Sequence, residues 1–297
     1  MLLRFSLYGF LKNQRYFEPF LVLAFLEAGL TFVEVGGLIA LRELATNFLE
    51  IPSGAAADVW GRRRALMVSF GAYVISFLAF GLASSPAMFI PAMLLFSVGE
   101  AFRTGTHKAM IFAWLKEQGR TAEKTAVYGY TRSWSKLGSA VSVVIGAACV
   151  FWLQRYSVVF LLAAIPASLN IVNFLGYPAS LDGERTGAAS PRAVLAHTRA
   201  AVEDAIRRAP LRRLMLETMG FEGLFRASKD YLQPLLAAVA ITAIGPLVAG
   251  GLTDIQRTTL LIGPVYVVLH LASSAASRRA HRVVSAAGGE EPAARRI

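Results

Sequence analysis

Apolar residues run through this chain in long blocks separated by short polar clusters. A helix that crosses a bilayer needs ~20 mostly apolar residues. Blocks of that length lie at roughly 11–30, 34–55, 65–84, 87–112, 127–152, 157–178, 213–240 and 258–277, which predicts eight helical spans. The seventh is uneven. Its first half carries Glu217, Glu222, Arg226, Lys229 and Asp230, and the smoother apolar run is Leu235 to Leu252, so the crossing falls on one side or the other of Tyr231. Arg4, Lys12 and Arg15 precede the first long stretch, which contains Glu18 and Glu27 and is followed by no small-residue cleavage site. It reads as a retained first span, not a signal peptide.

Composition agrees with the pattern. Of 297 residues, 55% are hydrophobic and only 16% charged, against ~25% charged in an average soluble domain. Mean hydropathy is +0.52. A soluble enzyme of this size would need more charge to cover its surface. The expected fold class is therefore all-α, a polytopic helical membrane protein. The only cysteine is Cys149, so no internal disulfide can form.

The net charge of +11 would suggest nucleic acid in a soluble protein. Its placement points elsewhere. With the N-terminus in the cytoplasm, the 2–3 loop holds Arg62, Arg63 and Arg64, and the 4–5 loop holds Lys116, Arg120 and Lys124. The 6–7 loop holds Arg185, Arg192, Arg199, Arg207, Arg208, Arg212 and Arg213. The tail holds Arg278, Arg279, Arg282, Arg295 and Arg296. Of the opposite loops, 1–2 and 3–4 have no Lys or Arg, and the other two carry Arg155 and Arg257. That asymmetry follows the positive-inside rule. It predicts a multi-pass protein of the cytoplasmic (inner) membrane with both termini inside, and no nucleic-acid partner.

The 6–7 connection is polar from about Pro178 to Arg212. Ser190-Pro191 has the form of a helix cap followed by Pro at the first helical position. Val194, Leu195, Val202 and Ile206 then recur at helical spacing against Arg199, Glu203, Arg207 and Arg208, which predicts an amphipathic helix on the cytoplasmic surface. Three parts result: a six-helix bundle over 1–178, a cytoplasmic linker over 179–212, and helices 7 and 8 with a basic tail over 213–297. A faint repeat supports two lobes. Leu30-Thr31-Phe32-Val33-Glu34-Val35-Gly36 leads into the second span, and Leu252-Thr253-Asp254-Ile255-Gln256-Arg257 leads into the eighth.

The most informative segment joins the second and third spans: Gly54-Ala55-Ala56-Ala57-Asp58-Val59-Trp60-Gly61-Arg62-Arg63-Arg64. Its glycines allow close backbone approach and unusual φ. Asp58 can accept backbone N–H bonds or face a helix N-terminus, and the arginines can pair with carboxylates. This G-x-x-x-D-x-x-G-R-R-R hairpin resembles the signature between helices 2 and 3 of the major facilitator superfamily of secondary transporters. Leu44-Ala45-Thr46-Asn47-Phe48-Leu49-Glu50-Ile51-Pro52-Ser53, leading into it, is similar to a bacterial subgroup described as drug or metabolite transporters.

The resemblance implies two six-helix bundles, rocker-switch movement of substrate through a central cavity, and a cytoplasmic latch. Gly54, Asp58, Gly61, Arg62 and Arg63 would form that latch against helices of the other lobe. Two departures stand out. The superfamily usually has twelve helices, and eight are expected here. The chain therefore reads as C-terminally truncated, and the latch's usual partner, the eleventh helix, is absent. The antiporter signature of helix 5 is also missing, since no Gly-Pro pair lies between Gly138 and Gly146.

Ionisable residues at membrane depth cost ~2.5–3.5 kcal/mol each on insertion scales and need a bundle interior or a wet cavity. Here they fall on stripes. Glu43, Asn47, Glu50 and Gly54 share one face of the second span. Glu100, Arg103, Thr104 and His107 share a face of the fourth. Tyr128, Arg132, Ser135, Ser139, Ser142 and Gly146 line the fifth. Glu222, Arg226 and Asp230 line the seventh, with Lys229 and Gln233 beside them. One reading is a substrate path in which acids of the second span face Arg103, Arg132 and Lys136. The other is structural: helix-holding ion pairs, or residues snorkelling near the membrane surface. Arg132 and Lys136, near the cytoplasmic mouth, are expected to be structural, and Glu50 to belong to the hairpin. For Glu100–Arg103 and for the seventh-span stripe both readings stay open.

No catalytic or metal constellation is expected. The four histidines are scattered, with no H-E-x-x-H, no Cys/His cluster, no nucleotide glycine loop and no G-x-S-x-G. The sequence thus predicts a gradient-driven secondary transporter of a small molecule, without ATP, cofactor or metal. Protonation of a carboxylate such as Glu100 or Glu222 would couple it if the driving ion is the proton. The rival expectation is a truncated, non-transporting membrane subunit, since helices 7 and 8 cannot rebuild a bundle without an oligomer or another chain. A compact ten-helix transporter suits the length but not the basic linker and the Asp58 hairpin.

Overall fold

The computed structural model describes residues 1–182, 207–209, 213, 228–244 and 251–287, and side chains among these except at 51, 55, 58, 125, 243, 244 and 273–287. The expected surface helix near 191–208 lies outside the described residues apart from its last two positions. So do Glu217, Glu222 and Arg226. The described elements are helical: α1 (Leu2–Lys12), α2 (Leu21–Glu27), α3 (Phe32–Trp60), α4 (Arg62–Leu82), α5 (Phe89–Arg103), α6 (Thr106–Glu117), α7 (Lys124–Leu153) and α8 (Val158–Leu175). A helix over 228–239 follows, here α9, ending in a π turn at Ala240–Ile244, and then α10 (Asp254–Ala287). Among the described residues, five stretches are long and apolar enough to cross a membrane: Arg62–Leu82, Pro86–Glu117, Thr121–Leu153, Val158–Leu175 and Asp254–Ala272.

Two of the expected continuous spans are broken. The first, expected over 11–30, is α1 and α2 separated by turns over 13–20. Pro19 sits in this break; it disfavours helical geometry at Glu18 and cannot donate a backbone bond. The Asn13 amide closes α1 by donating to the Gly9 carbonyl at 2.7 Å. Gln14 donates across to the Gly138 carbonyl of α7 at 3.2 Å. The fourth span, expected over 87–112, breaks between α5 and α6. There Thr104 is extended and Gly105 has φ +74°, a region that glycine enters without a Cβ penalty.

The core is aromatic. Phe17, Phe25, Phe77, Phe80, Phe89, Phe96 and Phe160 form a chain of rings with centroid separations of 5.1–6.1 Å. It ties α2 and the first break to α4, α5 and α8. Small residues then let helices approach. A Cβ on Gly138 of α7 would collide with the Phe10 carbonyl, and one on Gly99 of α5 would lie 2.7 Å from the Tyr73 ring. Packing through small residues is how helices associate where lipid removes the hydrophobic drive between them.

Helix starts are capped in a repeating way. At α3, Thr31 and Glu34 form a reciprocal capping box, with the Glu34 N–H donating to Thr31 Oγ1 at 3.3 Å and the Thr31 N–H donating to Glu34 at 2.7 Å. At α10, the Gln256 N–H donates to Thr253 Oγ1 at 3.3 Å and the Thr253 N–H donates to Gln256 at 3.1 Å. The faint repeat in the sequence is thus the same cap built twice. Glu27, at the end of α2, accepts the N–H groups of Tyr156 and Ser157 at 2.9 and 3.1 Å where α8 begins.

Candidate functional site: a half-buried ionic lattice around a cavity

The break in the first span brings Arg15 and Glu18, both half-buried, to one cavity. α3 supplies Arg42, Glu43 and Glu50, α5 supplies Glu100 and Arg103, and α9 supplies Lys229 and Asp230. Together they line a central cavity of about 440 Å³. Glu100 holds two cations at once. Arg15 lies 2.6 Å from one carboxylate oxygen, and Arg103 pairs with the other. Arg103 also donates to the Tyr73 hydroxyl at 3.1 Å. A carboxylate shared by two guanidiniums balances buried charge that neither element could hold alone.

The second part of the lattice joins the N-terminal helices to α9. Lys229 pairs with Glu18. Arg42 lies 2.9 Å from Glu43 and 3.9 Å from Asp230. Gln233, fully buried, donates to the Glu18 carbonyl at 2.9 Å and accepts the Val22 N–H at 2.9 Å. It thereby satisfies backbone groups that the broken helix leaves free. Tyr231 donates to the Phe32 carbonyl at 3.1 Å, and Tyr266 of α10 donates to the Lys229 carbonyl at 3.1 Å.

A second cavity, of about 430 Å³, lies on the other side of Arg103 between α1, α6 and α7. Arg132 and Lys136 line it together with Lys12 and Lys108, and among the described residues no carboxylate does. Tyr128, Ser135 and Ser139 of the predicted fifth-span stripe also face it. Ser142 and Gly146 of that stripe are buried, and Gly146 packs where a Cβ would lie 2.9 Å from the Tyr16 carbonyl.

Among the described candidate cavity residues, five lie together and one lies apart. Glu43, Glu50, Glu100, Arg103 and Asp230 come together in the central cavity. Arg132 faces the second one, away from the acids of the second span. Glu50, expected in the hairpin, lines the central cavity beside Asn47. His107, expected to share a face with Glu100, turns into the core because the chain breaks at Gly105. There it stacks on Tyr8 at 3.7 Å and meets the Tyr177 hydroxyl at 3.1 Å. Sequence reasoning passed over Arg15, Glu18, Arg42 and Lys229 as partners. Arg42 beside Glu43 carries no helical-face signal, and a continuous helix over 11–30 hides the break that Glu18-Pro19 marks.

In the hairpin, Gly61 takes φ +91° between α3 and α4, and Gly54 is exposed near the end of α3. The Asp58 side chain lies outside the described residues. Arg63 binds within the same lobe. Its N–H donates to Asp182 at 2.8 Å and its guanidinium to the Tyr177 carbonyl at 3.0 Å, just beyond α8. A Cβ on Gly61 would fall within 2.9 Å of both Asp182 oxygens, so glycine is required by space as well as by φ. Arg62 opens α4.

Long apolar helices, broken where charged side chains collect around a cavity, define a multi-pass helical membrane protein. The chain matches the family model described as Major Facilitator Superfamily over residues 13–288 and belongs to that superfamily. Its fold is similar to the crystal structure of the nucleoside transporter NupG, with a TM-score of 0.72 and 12% identity over 95% of this chain and 68% of that one. A mutant of NupG gives the same score and identity over 90% of this chain and 64% of the other. A POT family transporter in complex with 5-aminolevulinic acid follows at TM-score 0.53 and 16% identity, over 81% of this chain and 50% of that one. The chain thus spans about two thirds of the nucleoside transporter and half of the POT transporter. At such identities the likeness is one of fold. No curated protein is significantly similar in sequence.

Proposed function

We propose that this chain acts in gradient-driven secondary transport of a small polar solute by alternating access, in the cytoplasmic membrane with its basic loops inside. One observation carries the reading: the central ionic lattice is shared between the broken first span, α3 and α5 on one side and α9 on the other. Ion pairs that cross between two groups of helices can part and re-form as one group rocks against the other. The cavity between them falls within the roughly 300–1,000 Å³ of small-molecule sites. Superfamily membership speaks for transport and not for an enzyme. Glu18, Glu43, Glu50, Glu100 and Asp230 are the candidate carriers of a coupling proton, and the 54–64 hairpin a candidate latch.

Proteoliposomes containing the full chain test this. Radiolabelled uridine, dialanine and sulfate are offered under imposed proton and sodium gradients, with Glu18→Gln and Lys229→Gln alongside. Gradient-dependent accumulation of a polar solute, reduced about ten-fold or more in both variants, is expected. Absence of flux for all three solutes from correctly folded protein, or flux indifferent to both substitutions, would sink the reading.

A further inference from the structure

We infer that the second cavity is a binding site for a small multivalent anion, a phosphate-, sulfate- or polycarboxylate-bearing solute. This rests on the transport reading only for the anion's onward fate; the binding itself stands apart. Five cations converge there: Lys12 at the end of α1, Arg103 at the end of α5, Lys108 in the first turn of α6, and Arg132 and Lys136 on α7. Arg103 is committed to Glu100. The remaining four meet no carboxylate among the described residues of the lining. Lys12 lies 5.6 Å from the Tyr8 ring centroid, and Lys108 lies 5.6 Å from Phe112 and 5.4 Å from Tyr128. Ring faces are weak partners for an ammonium compared with an anion.

A second feature adds to the field. α6, twelve residues long, starts at Gly105 with no side-chain cap. Gly105, His107 and Lys108 all line the cavity. The Thr106 N–H turns back to the Thr104 carbonyl at 2.9 Å, but a helix start carries partial positive charge, and a cation in that first turn opposes the dipole instead of complementing it. Lys108 is thus misplaced for helix stability and well placed for an anion. Ser135 supplies a neutral hydroxyl on the α7 wall, while the Thr131 and Ser139 hydroxyls donate within α7 to the Tyr128 and Ser135 carbonyls at 2.9 and 3.2 Å. The volume, about 430 Å³, suits a small organic anion. One-signed walls of this kind concentrate counter-ions. Because Arg103 and Thr104 line both cavities, an anion here also meets the guanidinium that holds Glu100.

The test uses the purified full chain in neutral detergent and in phosphatidylcholine nanodiscs. Calorimetric titration and thermal unfolding are followed with sulfate, inorganic phosphate and succinate, at ionic strength fixed with chloride. Saturable binding of at least one divalent anion is expected, weakened about ten-fold or more in R132Q/K136Q, since each removed partner is a charge-assisted bond. Arg132→Lys should keep most of the affinity, and Lys116→Gln, outside the cavity, all of it. If the double variant misfolds, Arg132→Gln and Lys136→Gln are read singly. Absence of saturable binding, or binding indifferent to Arg132 and Lys136, would overturn the assignment. So would loss of anion binding in nanodiscs containing phosphatidylglycerol, which would assign the cavity to a lipid headgroup. Binding without flux in proteoliposomes would leave this site standing and remove the transport reading.

Discussion

Glu100 is the residue on which most of the lattice depends. Its side chain is 17% exposed and it pairs with Arg15 and Arg103 together. Removing one member of a buried ion pair strands the other charges and costs about 3–5 kcal/mol, whereas replacing a whole pair by apolar groups can be near neutral. Arg15 is 35% exposed and can find water, so the lower end applies. Glu100→Gln should therefore lose about 3 kcal/mol of stability, read by thermal unfolding in detergent. Glu100→Leu with Arg103→Met should lose clearly less. If the double variant is as unstable as the single one, the lattice is not held by charge balance. The pair was legible in the sequence, because i, i+3 spacing puts Glu100 and Arg103 on one face. Arg15 was not. Its place beside Glu100 depends on a tertiary approach that no local spacing records.

Elements were legible where the chain is continuous and illegible where it breaks. α4, α7 and α8 follow apolar blocks bounded by polar residues. Hydropathy cannot distinguish one long helix from two short ones in line, since the apolar count is the same. The breaks had only small signals, Pro19 in the first span and Gly105 in the fourth. Spacing also could not say which glycine is a contact. Gly138 of α7 lets α1 close against it, with the Phe10 carbonyl where a Cβ would be. Gly138→Leu should force the two helices apart at a cost of about 1–3 kcal/mol or more, seen as a lowered unfolding temperature. Gly37, with nothing within 4 Å of a built Cβ, should accept Ala with little change. Equal tolerance at both positions would mean that α1 does not seat on α7 as described. The joint between α2 and α8 is made by Glu27, the carboxylate that the sequence showed only as an oddity in an apolar run. Glu27→Gln should weaken its two bonds to the α8 start by about 1 kcal/mol.

At the scale of the whole molecule, the two capping boxes, Thr31–Glu34 and Thr253–Gln256, place α3 and α10 as equivalent helix starts. α9 lies against the beginning of α3. Tyr231 donates to the Phe32 carbonyl at 3.1 Å, their rings lie 6.3 Å apart, and a Cβ on Gly36 would come within 3.0 Å of the Tyr231 hydroxyl. If alternating access rocks α9 and α10 against the N-terminal helices, this contact should open and close in each cycle, as should the Glu18–Lys229 and Arg42–Asp230 pairs deeper in. With Cys149 replaced by Ala, Phe32→Cys and Tyr231→Cys can be joined by a short bifunctional thiol reagent with a reducible link. Flux in proteoliposomes should fall to background on joining and return on reduction. Either cysteine alone, treated alike, should keep its flux. Undiminished flux through fully joined protein would show that α3 and α9 move as one body. The moving boundary would then have to lie elsewhere, and the crossing ion pairs would be fixed struts and not parts of the cycle.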